Sequence, residues 1–146
     1  MEIISCNPSE TKKAGKELAL EILSSPKKRR ILVLKGGLGA GKTTFLQGFA
    51  KGLGVRKRIL SPTFVIFNRF KLKSPYFKNF YHFDCYRIES FKEMEVLGFK
   101  EIVFDSGNIV AIEWPEKIRR ILPKRIIKLE FRILKNDRRK IIISLL

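Results

Sequence analysis

Apolar and polar positions along the chain fall into segments of different period. Ala14, Leu18 and Ile22 recur at four-residue steps, as in a helix with one core-facing stripe, and the pattern runs to about Ser24. Ahead of it, Asn7-Pro8-Ser9-Glu10 supplies an N-cap, a proline at the first helical position and a glutamate three residues after the cap. Met1 to Cys6 reads as a short strand before this helix, and Pro26 with the basic run Lys27 to Arg30 ends it. Ile31-Leu32-Val33-Leu34 is a continuous apolar run, which suits a central strand covered on both faces. The residues after Lys42 can be helical to about Leu53, with Gly54 as a C-terminal cap.

Further strands are expected at Phe64 to Phe70, Phe80 to Phe83 and Ile109 to Ile112. Ser90-Phe91-Lys92-Glu93 is a capping box that opens a short helix closed by Gly98. Towards the C-terminus the period drops to two. Ile127, Leu129, Phe131 and Ile133 alternate with Lys128, Glu130 and Arg132, and Ile141-Ile142-Ile143 follows a polar turn at Asn136-Asp137, which predicts an antiparallel hairpin. The elements sum to a three-layer α/β domain with a mixed, largely parallel sheet, its antiparallel strands at an edge. Residues 1–146 read as a single domain, and a chain of this length buries roughly 70% of its unfolded surface without staples.

Between the central strand and the helix after Lys42 lies Gly36-Gly37-Leu38-Gly39-Ala40-Gly41-Lys42-Thr43. A triphosphate needs many donors close together, and Gly36, Gly37, Gly39 and Gly41 let backbone N–H groups turn inward around it without Cβ clashes. The helix that follows points its positive end at the same anion, Lys42 reaches the β- and γ-phosphates, and the Thr43 hydroxyl suits Mg²⁺. Strand, loop and helix stand in the order of a P-loop, so the expected ligand is a nucleoside triphosphate, ATP with Mg²⁺. Magnesium also calls for an acid at the end of a second strand. Two positions qualify, Asp84 after Tyr81-His82-Phe83 and Glu113 after Ile109 to Ile112. Ser61-Pro62-Thr63-Phe64 stands where many NTPases sense the γ-phosphate through a threonine, although Thr63 reads equally well as a turn residue. His82, Arg87 and Trp114 each admit a structural reading beside a functional one: a hydrogen-bonder at a strand end, an ion-pair partner of Glu89 or Glu93, and a packing residue.

Charge changes the picture only in part. The formal net charge is +17, with 14 Lys and Arg and no acid between Glu21 and Asp84. From Lys117 to Leu146, 11 basic residues face two acidic ones. Such a field attracts polyanions, and it fits contact with RNA or an acidic partner as well as it fits a general Lys/Arg bias on solvated faces. No RNP1-like aromatic pattern or GXXG loop marks a standard RNA-binding module. Cys6 and Cys85 stand alone beside a single histidine, so no zinc site or disulfide framework is indicated, and both are expected to be buried thiols. The longest apolar runs are far short of a membrane span and Glu2 precedes any leader-like segment, which predicts a cytoplasmic protein.

Taken together, Leu38 to Phe45, Ser61-Pro62-Thr63-Phe64, His82-Phe83-Asp84-Cys85-Tyr86-Arg87, Glu95-Val96-Leu97-Gly98 and Ile112-Glu113-Trp114-Pro115-Glu116 resemble, in order and spacing, the TsaE (YjeE) family. These are small bacterial P-loop ATPases of tRNA threonylcarbamoyladenosine synthesis, and the resemblance spans Thr11 to Glu116. It implies a P-loop NTPase-like domain in which Gly39, Ala40, Gly41, Lys42, Thr43 and Thr44 surround the phosphates. It also places Thr11 near the adenine, Thr43 and Glu113 on Mg²⁺, and Asp84 on the metal or its water, with Lys42, Thr63, Asp84 and Glu113 as the catalytic set. The implied activity is slow ATP hydrolysis in support of the partner subunits TsaD and TsaB, which transfer a threonylcarbamoyl group to the adenosine next to the anticodon. A direct tRNA contact through the basic faces stays open. One departure is Gly37, where many relatives carry an acid. Two other readings compete: a small-molecule or nucleoside kinase using the loop for its donor, and a basic RNA-binding module regulated by nucleotide. A guanine-specific GTPase is disfavoured because no Asn-Lys-x-Asp motif occurs.

Overall fold

The computed structural model describes residues 1–59 and 66–146. The central apolar run forms β2 (Ile31–Lys35) in the middle of a seven-stranded sheet. Its neighbours are β5 (Asn108–Glu113) and β6 (Ile127–Ile133), both parallel to it. Beyond β5 lie the parallel β4 (Asn79–Asp84) and then the antiparallel β3 (Phe67–Lys71). On the other side, β7 (Arg139–Leu145) pairs antiparallel with β6, and β1 (Glu2–Ser5) antiparallel with β7. The hairpin is therefore present, but antiparallel strands flank both edges, not one. Its first strand also docks on β2, because the alternating apolar side of β6 needs a covered neighbour to be buried. Of the strand expected from Phe64, Phe64 and Val65 lie outside the described residues.

The two faces of β2 enter different cores, as a period of two requires. Leu32 and Leu34 pack under α1 (Pro8–Leu23) and α2 (Lys42–Gly52), with Phe45, Phe49, Phe80 and Leu129. Ile31 and Val33 pack on the opposite side with Phe83, Met94, Phe99 and Ile118. That side is covered by α3 (Phe91–Val96), α4 (Phe99–Phe104) and a 3₁₀ helix, Pro115–Ile121. The last two elements carry no strong sequence signal of their own. The result is the expected three layers.

The caps follow the sequence closely. Asn7 accepts from the Glu10 N–H at 2.9 Å, while the Glu10 carboxylate reaches the Cys6 N–H at 2.7 Å. Ser90 and Glu93 form the reciprocal capping box, and Gly98 takes φ +79° between α3 and α4. Glycines also set how closely α1 and α2 meet. A Cβ at Gly15 would run into the Phe45 carbonyl, and one at Gly48 into the Lys12 carbonyl, so the helix backbones touch. Only one cysteine behaves as expected: Cys85 is buried, but Cys6 is exposed because β1 stops at Ser5 and the chain turns outward into the helix cap. Burial pushes the Cys85 thiol up to about 12, so it is inert as a nucleophile at neutral pH. Among the described residues no helix is long and apolar enough to cross a membrane.

Candidate functional site

The parallel strands β2, β4 and β5 end on the same side of the sheet, and their carboxyl ends floor a cleft of about 850 Å³. One wall is the Gly-rich loop between β2 and α2. Gly36, Gly39 and Gly41 hold φ of +155°, +76° and +104°, a region that favours glycine. Gly37 does not: it has no positive φ, and nothing lies within 4 Å of where its Cβ would be. A side chain at this position would therefore meet no steric obstacle. The Phe45 N–H bonds the Gly41 carbonyl at 2.9 Å and starts α2, leaving the preceding amides without helical partners.

Lys42 is the first residue of α2 and only 6% exposed. Its ammonium donates to the Gly36 carbonyl at 2.6 Å and lies 3.6 Å from the centre of the Trp114 ring. Burial lowers its pKa, an effect opposed by the charges of Glu113, Asp84 and Glu116. Trp114 reaches this position because its backbone is left-handed, φ 56° and ψ 58°, a sparsely populated conformation for a bulky residue. The ring also packs on Tyr86 at 4.9 Å between centroids, so Trp114 is held between Lys42 and Tyr86.

Asp84 and Glu113 are register partners across β4 and β5, so both acids sit beside the loop. Their surroundings differ. Burial raises the Asp84 pKa and the charge of Glu113 adds to this, while the Tyr86 N–H, donating to Oδ1 at 3.0 Å, works against it. Glu113 is buried, and its Oε2 lies 2.6 Å from His82 Nε2, itself 1% exposed. A carboxylate only accepts, so the imidazole donates through Nε2, and Nδ1 is left with no partner among the described residues. His82 therefore fixes one carboxylate oxygen of Glu113, while the other has no hydrogen-bond partner among the described residues.

Thr43 and Thr44 line the same cleft, half-buried on the first turn of α2. Thr11 joins them from α1. It is buried, its hydroxyl shares a 2.6 Å hydrogen bond with that of Ser5, and its methyl faces Gly41. Gly39, Ala40, Gly41 and Arg87 also line the cleft. Thr63 lies outside the described residues. Sequence reasoning missed Arg139, which donates to the Gly39 carbonyl at 3.2 Å, and Asp137, both lining the cleft from the β6–β7 turn. No local signal marks them. They reach the loop only because β6 runs parallel to β2 in the register Lys35 to Glu130.

Chemically, the arrangement offers amides without helical partners and a buried ammonium for an anion, beside two carboxylates and a hydroxyl for a hard cation. Fold, loop and cleft define a protein of the P-loop-like α/β class, with a glycine-rich turn between a central strand and a helix. Within that class, the family model described as "Threonylcarbamoyl adenosine biosynthesis protein TsaE" matches residues 6–141, and the chain belongs to this TsaE family. A relative from Borreliella burgdorferi, named tRNA threonylcarbamoyladenosine biosynthesis protein TsaE, is 44% identical over 75% of this chain and 77% of its own. The protein of the same name from Rickettsia prowazekii is 38% identical over 88% and 87%. Among solved structures, YdiB of Bacillus subtilis superposes with a TM-score of 0.74 at 28% identity, covering 99% of this chain and 84% of that one.

Proposed function

We propose that this protein binds ATP with Mg²⁺ in the cleft and hydrolyses it slowly, supporting threonylcarbamoyl transfer to the adenosine next to the tRNA anticodon. The transfer itself belongs to partner subunits of the TsaD and TsaB type, in the cytoplasm. The observation that carries this reading is the convergence of Lys42, at the start of α2, with Asp84 and Glu113, at the ends of the adjacent strands β4 and β5, around one Gly-rich loop.

In this reading, the amides of Gly39 to Thr44 and the positive end of α2 hold the phosphates. Lys42 is held by a carbonyl and an aromatic face, neither of which neutralises it, so an anionic phosphate oxygen is its better partner. Thr11 and Arg139 bound the side of the cleft on which the base would lie. Mg²⁺ fits the donor set: all its candidate ligands, Thr43, Asp84 and Glu113, are oxygens, and burial of the two acids leaves negative charge that Lys42 alone does not offset. When bound, the ion would neutralise charge on the phosphate oxygens. Glu113, fixed through His82, orients the ion's shell or the attacking water, and Asp84 supplies the second carboxylate. Thr63 is retained as the γ-phosphate sensor on the strength of the motif resemblance.

The test is reconstitution with TsaD- and TsaB-type subunits, tRNA and ATP, scoring modified adenosine and complex formation. Wild type should support both, while Lys42→Ala and Glu113→Ala should not. Modification that is equally strong with either variant would overturn the reading.

A further inference from the structure

A second concavity, of about 700 Å³, opens on the α1–α2 layer. Lys12 contributes from α1, Gln47 and Lys51 from α2, and Arg56, Lys57 and Arg58 from the segment that follows Gly54. All five cations are exposed, and among the described residues no carboxylate lines the groove. Some basic side chains elsewhere are engaged, Lys78, Lys128 and Lys140 with carboxylates, Arg29 and Arg125 with main-chain carbonyls, while others such as Lys71, Lys73 and Lys100 stand exposed outside any such groove. None of the groove's five forms an ion pair among the described residues. A general basic bias explains scattered cations, but not five of them converging on one acid-free groove.

The apolar members of the groove decide the class of ligand. Val55 and Ile59 are buried in its floor, so among the described residues no exposed aromatic or aliphatic anchor is presented. Protein interfaces draw most of their energy from such anchors and are depleted in lysine at their centre. Long, flexible cations without an apolar centre instead suit phosphodiester oxygens, where they set position and not sequence. We infer that this groove binds the sugar–phosphate backbone of RNA. It adjoins the nucleotide cleft, because neighbouring residues at the start of α1, Thr11 and Lys12, line one and the other. The proposed role above enters only in the choice of tRNA as probe.

The experiment measures labelled tRNA binding to the full-length protein by anisotropy, without nucleotide, across a salt series. Two triple variants remove equal charge: Arg56→Ala/Lys57→Ala/Arg58→Ala in the groove, and Lys71→Ala/Lys73→Ala/Lys100→Ala on exposed positions away from it. Each lost phosphate contact lowers the log–log salt slope by about 0.7–0.9, so the groove triple should flatten it by about 2 and weaken the Kd at least about tenfold near 0.1 M salt. The control triple should change the Kd by less than about threefold. The pair Lys12→Gln/Lys51→Gln, which keeps both helices intact, should show the same trend and guards against misfolding of the triple. Equal losses in both triples, or unchanged binding in the groove variants, overturns the inference. So does retained tRNA binding with lost binding to a TsaD–TsaB complex, which would make the groove a protein contact. ATP binding followed in the same variants separates this outcome from failure of the nucleotide site.

Discussion

The two layers that cover the sheet are built by opposite means. On one side, α1 and α2 approach until their backbones touch through Gly15 and Gly48, and Phe45, Leu46 and Phe49 beneath them are fully buried. On the other, α3 and α4 are six residues each, the 3₁₀ helix contains a kink at Ile118, and Val96 and Phe104 stand 88% and 67% exposed. The first layer holds the loop that would grip phosphate. The second brings Trp114 over Lys42 and Tyr86 beside it. A phosphate grip needs donors fixed to a fraction of an ångström, which a close helix crossing supplies better than short, kinked elements do. The cleft lies between the rigid layer and the looser one.

Substitutions can break or sharpen this contrast. Gly48→Val forces a branched side chain against the Lys12 carbonyl and should cost about 3 kcal/mol in urea unfolding, since overpacking a close contact is seldom relieved. Val96→Ser on the opposite layer should stay within about 0.5 kcal/mol. Comparable losses at the two positions would erase the distinction between layers. Between them, at the seam, His82→Leu leaves a buried carboxylate oxygen of Glu113 unpartnered, at a cost of about 2 kcal/mol. His82→Gln, which restores an N–H donor, should recover part of both stability and ATP turnover; no recovery would mean the imidazole matters only for its volume.

A smaller effect is expected at Trp114, the chain's single tryptophan and hence its intrinsic fluorophore. ATP should change its emission, because the ammonium 3.6 Å from its ring would be drawn towards phosphate. Trp114→Ala should alter ATP affinity by about 1 kcal/mol, the scale of a partly desolvated cation–π contact. The smallest effect concerns pH. Asp84 has a raised pKa in the folded state, so between the ordinary carboxylate value and the raised one the native protein binds more protons than the unfolded chain. Stability of the nucleotide-free protein should therefore fall as pH rises through that window. Asp84→Asn should remove this slope in thermal melts and gain slightly in stability at neutral pH, while losing ATP turnover.

Much of this was legible in the sequence, because the relevant signals are local. The Gly-rich loop follows an apolar run and precedes a helix, and Asp84 and Glu113 each end a strand, so short spacing alone put them at one edge of the sheet. The residues that escaped notice depend on long-range pairing or on unusual backbone. Arg139 reaches the loop only once β6 slots between β7 and β2, which no short pattern encodes. For Trp114, which admits both a functional and a packing reading in sequence, what no pattern shows is the left-handed backbone that sets it against Lys42. Gly15 and Gly48 look like weak helix formers, though their task is the close crossing of two helices. Cys6 was expected inside only as an unpaired thiol; it is exposed because β1 stops at Ser5 and the chain turns into the helix cap.

The central claim is that the rigid layer presents a nucleotide grip organised around Lys42. Titrating ATP into the wild-type protein and into Lys42→Ala, with and without Mg²⁺, by calorimetry tests it most directly. The account predicts saturable binding to wild type that depends on Mg²⁺ and disappears in the variant. Binding by Lys42→Ala that matches wild type in affinity and Mg²⁺ dependence would contradict it.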